Sequence, residues 1–418
     1  MPGVRVLGTP IACESTVAAD IEAGIKGAFN DIVAALTRPL SEEEKNPQPK
    51  TDPSPRIAFK GNSQEVHQFF YRKGWGDGLP IVPPSEAAVA EMLAGTNLPA
   101  NHMVAKLIPR MGKATVEKIA VNAVMAGALP VHMPVLIAAV QALSDPKTRF
   151  DTFEVSTGSW APFLLLNGPI RNEININCSS GALSPGNIAN SAIGRAVGLI
   201  VKNIGGARKA IEDMGTLGNP GKFALVLGEF EEESPWPPLH VDRGFKKTDN
   251  VLTVFFPNGY RQSIPSQTNA EGIAASLSAM GPRSLSALIV IPDHARIFSS
   301  EGWTKQRVRE YIIQSAASSA AASAKRPASA KPAASGAATG ANPVTPGAPA
   351  AKSARRGGPL ADEDFIVVVA GGPGVWHGLH QSAGGFENSF VSKKIELPSN
   401  WDKLVAKYKN LVPNYVTY

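Results

Sequence analysis

Cysteine is almost missing from this 418-residue chain, which holds only Cys13 and Cys178. Two thiols cannot form a disulfide framework, and their scarcity fits a reducing compartment, so a cytoplasmic location is expected. No run of about 18 apolar residues occurs, so the sequence predicts no transmembrane helix and no membrane partner. The N-terminus, MPGVRVLGTPIACEST, has no basic stretch followed by a long apolar one, so no secretory signal is expected. Aromatic residues make up only 7% while Gly (39) and Pro (35) are plentiful, which points to many structured loops. The common catalytic signatures are missing as well. There is no P-loop, no dinucleotide G-x-G-x-x-G after a strand, no H-E-x-x-H, no C-x-x-C and no G-x-S-x-G elbow.

An excess of positive charge is present, but it is local. The formal charge is +6, and the segment 316–360 holds six basic residues (Lys325, Arg326, Lys331, Lys352, Arg355, Arg356) and no acidic ones. The rest of the chain is therefore balanced. A nucleic-acid-binding surface concentrates positive charge on folded structure, so no specific nucleic-acid partner is expected. Hydrophobic content of 43% is enough for ordinary cores.

Five regions follow from pattern. Residues 1–38 read as a strand-helix remnant, with Ile21, Ile25, Phe29, Ile32 and Leu36 on one helical face. Residues 39–56 are polar and Pro-rich and read as a linker. Residues 57–315 read as an α/β body, with strands expected at 163–167, 222–228, 251–256 and 287–291. Helices are expected after Asn62 and at 85–95, 115–126, 134–143, 188–204, 268–280 and 303–315. Segment 316–360, rich in Ala and Pro, reads as a disordered insertion. Residues 361–418 open with the strand-like DFIVVVAGGPG and are expected to return to the main sheet. The fold class is thus α/β, a mixed and partly parallel sheet flanked by helices, with a long disordered insertion.

Five stretches carry the candidate chemistry. In Gly74–Pro84, Asp77 reads as a base or ligand, or else as an Asx turn bonding its own backbone. In Asn175–Asn190, amides with Ser179, Ser180 and Asn187 read as a cradle for an anionic substrate group. Cys178 stands where a helix dipole lowers a thiol pKa, or else is a buried inert cysteine. GEFEEESPWPPLHVDRGF (228–245) places Glu229, Trp236 and His240 after a strand, with His240 as catalytic residue or metal ligand and Trp236 against substrate. His294, in PDHAR after the strand ALIVI, reads as catalytic or as a structural residue beside a cap. In GGPGVWHGLH (371–380), His377 and His380 fall on one side of a helical turn and read as metal ligands. There His377 also reads as catalytic, aimed into open space, with Trp376 beside the substrate. His240, Glu229, His377 and His380 form the candidate set for a divalent transition metal. The last four of these stretches follow expected strands, so if the strands run parallel their loops open on one sheet edge, which predicts a single pocket at strand C-termini.

The motifs GWGDGLPIVPP, ATVEKIAVNAVMAGALP, NGPIRNEININ, GNPGKF, SPWPPLHVDRGF, PDHARIF and VVVAGGPG together resemble the body of bacterial UGSC-type proteins. That family is named for a Sec/Cys-Gly-Ser-Cys motif in an associated redox domain. The resemblance covers roughly 57–315 and 364–418, and residues 10–45 resemble the closing helix of the redox domain. No Cys-Gly-Ser-Cys occurs here, so the resemblance implies a separate thiol or selenol redox subunit as partner.

The reading is a cytosolic small-molecule enzyme, homo-oligomeric, performing redox chemistry or carbon–heteroatom bond cleavage. A metal-assisted hydrolase or lyase using the same histidines is one alternative. A non-catalytic subunit of a multi-component redox system is another.

Overall fold

The computed structural model describes residues 5, 7, 8, 11, 16–47, 55–282, 284–325, 362–382 and 388–412, with backbone alone at 319–325 and 362. Two compact units result, residues 1–60 and 61–418.

In the first unit, helix α1 (Ala18–Thr37) is followed by the single turn α2 (Glu42–Lys45). The expected apolar face of α1 is not its buried face. Gly24 and Ala28 are buried, whereas Ile25, Phe29 and Leu36 are exposed. The expected linker contains α2 because Ser41 and Glu44 form a reciprocal capping box. Arg5 binds Glu44 at 2.9 Å and donates to the carbonyls of Ala35, Arg38 and Pro39. The expected strand at its start falls mostly outside the described residues.

The second unit begins with α3 (Ser63–Lys73), capped by Asn62 and Glu65 and ended by Gly74 in the left-handed region. Then come α4 (Glu86–Leu93), a hairpin of β1 (Met103–Leu107) and β2 (Gly112–Thr115), α5 (Val116–Met125), α6 (Met133–Leu143) and the turn α7 (Phe150–Phe153). Strand β3 (Phe163–Asn167) leads through α8 (Ile170–Glu173) to α9 (Ile188–Ile200), then β4 (Val226–Gly228), α10 (Leu239–Asp242), β5 (Val251–Phe255) and β6 (Gly259–Ser263). The remainder is α11 (Ala270–Ser278), β7 (Ser286–Val290), α12 (Pro292–Ser300), α13 (Lys305–Lys325), β8 (Phe365–Val369), β9 (His377–Gln381), β10 (Val391–Lys394) and α14 (Trp401–Tyr408). The disordered insertion was expected at 316–360; its first ten residues, 316–325, instead continue α13, and residues 326–361 lie outside the described residues. No helix among the described residues is long and apolar enough to cross a membrane.

The fold is mixed α/β, but its strands form two four-stranded sheets rather than one, ordered β10-β5-β3-β4 and β6-β9-β7-β8. Only β3–β4 and β7–β8 are parallel pairs within them. Alternate residues on each strand face opposite layers. Leu164 and Leu166 join a core with α5, α6 and α9, whereas Phe163 and Leu165 meet Ala287, Ile289, Ile366 and Val368 of the other sheet. Leu288, Val290, Val367 and Val369 in turn pack against α11, α12 and α13. Two sheets thus stack face to face between two helical layers. The continuous apolar runs FLLLN, ALIVI and FIVVV follow directly, since both faces of these strands are buried.

Candidate active site

The loops expected to converge do meet, but they close on each other. After β4, the Phe230 N–H donates to Val369 at 2.7 Å, and the Gly371 N–H donates to Cys178 at 2.8 Å. Arg296 of α12 pairs with Glu233, and Gly374 donates to Asp293. Gly372 sits so close to Ser180 that a Cβ there would overlap it.

Within this edge the acids of 229–232 are structural anchors. Glu229 is fully buried and accepts from Asn167 Nδ2 (2.6 Å) and the Leu239 N–H (2.8 Å), and burial pushes its carboxyl up. Arg171, 2% exposed, binds Glu231, Glu232 and the Glu229 carbonyl. His240 is fully buried, with Nδ1 3.9 Å from Glu231 and Nε2 facing the Lys247 carbonyl at 3.4 Å.

The histidine pair of the last motif lies on a strand, not a helical turn, so residues three apart point to opposite sheet faces. His377 is 1% exposed rather than open to solvent, and its Nε2 lies 2.5 Å from His294 Nδ1. Burial, then the neighbouring His294, push His377 down to about 3, and burial lowers His294. His380 instead lies in the layer between the sheets, stacked on Tyr260, tilted against Phe163 and pushed down to about 4 by burial. Among the described residues no three His, Cys, Asp or Glu groups gather as metal ligands, so the expected set of His240, Glu229, His377 and His380 is not brought together.

The remaining expectations divide similarly. Cys178 lies ten residues before α9, and burial pushes its thiol up to about 11 despite nearby Arg171, the reverse of the expected dipole effect. Trp236 is core, donating to the Trp303 carbonyl, whereas Trp376 is exposed. Asn187 caps α9, and the Ser179 N–H bonds Asn177. Asp77 makes the Asx turn to Leu79 and also binds Arg195 through both oxygens, at 2.7 and 2.9 Å. Burial works to raise its carboxyl, but Arg195 and Leu79 hold it below the ordinary value, so it stays an ion-paired carboxylate and a weak base.

An open cleft with convergent chemistry lies elsewhere. A cavity of about 550 Å³ is bounded by Gly76–Gly78, the C-terminal half of α9 and the segment 207–223. Glu154, the residue after α7, lines it and is only 5% exposed. Burial pushes its carboxyl up to about 7, with Lys222 opposing and Asp213 reinforcing the shift. Lys222 Nζ stands 3.6 Å from Glu154 and 2.8 Å from Asp213. Arg195, Lys202, Lys209 and Lys222 line this cleft against Asp77, Glu154 and Asp213, so positive charge prevails. Asp77 and Arg195 hold each other, Lys202 donates to the Gly76 carbonyl and Lys222 binds Asp213, and of these cations Lys222 and Lys209 act on the Glu154 carboxyl. A carboxyl that titrates at neutral pH, beside cations, can accept a proton from carbon and return it.

Sequence reasoning passed over Glu154, Lys209, Asp213 and Lys222. Its only signal was an acid directly after FDTF, whose Phe150 and Phe153 belong to the core and so carry Glu154 inward. No protein-family model, curated protein or solved structure matches the chain.

Proposed function

We propose that the chain is a small-molecule lyase that cleaves a carbon–heteroatom bond by general acid–base chemistry. The observation that carries this is Glu154, buried in an open cleft with its carboxyl raised to about 7. A substrate carboxylate held by Lys209 and Lys222 presents its neighbouring carbon to Glu154. The Glu154 carboxylate takes the proton, the C–H electron pair forms a C=C bond, and the heteroatom leaves with its bonding pair and receives that proton back from the Glu154 carboxyl. The cations stabilise the negative charge that develops on the substrate carboxylate. Cys178, buried with its thiol pushed up to about 11, is given no part in this step.

Proton removal is testable without knowing the leaving group. Wild-type protein in D₂O should place deuterium next to the carboxylate of one or more members of a panel of 3-hydroxy, 3-amino and 3-sulfanyl acids, read by proton NMR. Glu154→Gln should slow that exchange by roughly 10²–10⁴-fold. The wild-type rate should rise with pH up to about 7 and then level, as the base ionises. No exchange with any panel member, or equal exchange by Glu154→Gln, overturns the reading.

A further inference from the structure

A second cleft, of about 850 Å³, opens between the edge strands β4 and β6 of the two stacked sheets. None of its lining residues carries a formal charge, although 18% of the chain is charged. Large apolar side chains stand exposed around it: Leu183 (36%), Leu217 (95%), Phe223 (52%) and Tyr260 (48%). Exposed apolar groups are common singly, but their gathering around one concave site marks a binding surface. Its single titratable imidazole, His380, is 4% exposed and stacked on Tyr260 with ring centroids 4.5 Å apart, and burial keeps it neutral. Hydroxyls and amides, such as Ser159, Ser191 and Asn258, supply the polar contacts.

We infer that this cleft is a second ligand site, separate from the Glu154 cleft, for an uncharged and largely aromatic small molecule. Among the lining residues an anion finds no cation and a cation finds no carboxylate, so a charged ligand loses hydration with little compensation. An aromatic ring fits the apolar rim and gains offset stacking on Tyr260.

The probe is N-phenyl-1-naphthylamine, neutral and fluorescent when shielded from water, titrated into the full-length protein. One saturable site is expected. Free 1-naphthol should displace the probe, whereas naphthalene-1-sulfonate at the same concentration should not. Ser191→Trp, which fills the cleft from α9, and Tyr260→Ala, at a half-exposed position, should each weaken binding at least tenfold while melting like wild type. Glu154→Gln should bind the probe unchanged, so failure of this site and failure of the lyase reading are separable. The inference is overturned by absence of saturable binding, by equal displacement with the sulfonate, or by unchanged affinity in both cleft variants.

Discussion

Glu154 and the buried histidines impose opposite pH dependences on stability. For Glu154 the folded pKa, about 7, stands above the ordinary 4.5. Between those values the folded chain keeps a proton that the unfolded chain has lost. Its contribution therefore falls as pH rises through the window, by about 3 kcal/mol in all. Glu154→Gln removes that penalty, so its gain in melting temperature over wild type should be larger at pH 8 than at pH 5. Thermal denaturation at the two values checks this, and an equal gain would contradict the shift. His132, His377 and His380 have folded pKa values of about 3, 3 and 4 against an ordinary 6.5. Their contribution is present above 6.5 and is lost as pH falls toward 4, because the unfolded chain binds the protons. Melting temperature of the wild type should accordingly drop steeply between pH 6.5 and 4. At this scale the sequence was partly legible. The Asx turn at Asp77 was readable from Gly and Asp spacing, but its partner Arg195 lies 118 residues away and leaves no local trace.

Secondary elements were legible where burial is two-sided. FLLLN, ALIVI and FIVVV are unbroken apolar runs, so β3, β7 and β8 could be read within a residue or two. Strand β9 could not, because HGLHQ has the i, i+3 histidines of a helix and pairs with β6, GYRQS, which is almost wholly polar and exposed. Close packing of elements makes a sharper prediction. A Cβ on Gly194 of α9 would lie 2.6 Å from Ala224 Cα and 3.2 Å from the Leu225 N, both backbone atoms. Gly194→Ala should therefore force α9 away from the start of β4 and cost about 1–3 kcal/mol, measured as a lower denaturant midpoint. Gly27→Ala, with nothing within 4 Å of the added atom inside α1, should instead stabilise by about 0.5–1 kcal/mol.

For the molecule as a whole, the expected sheet became two because apolar runs do not say which strands share hydrogen bonds. Arg171 shows what holds the loops together at one edge: a single buried guanidinium joins the end of β3 to the acids after β4. Arg171→Leu leaves Glu231 without that partner and should cost about 3–5 kcal/mol, visible as loss of cooperative unfolding at ordinary temperatures. Charge is a separate whole-chain property. Removing 326–358 deletes five basic residues and no acidic ones, leaving a formal charge of +1. Retention of the intact chain on a heparin column should be weak and salt-sensitive, and the shortened chain should flow through.

Leu217, Gly218, Asn219, Pro220 and Phe223 line the charged cleft on one side and the uncharged cleft on the other. One strip of chain is therefore a party wall. A guest that shifts these residues from either room changes the wall offered to a guest next door. The two affinities are then thermodynamically linked, and the factor by which the first occupant changes the second is the factor by which the second changes the first.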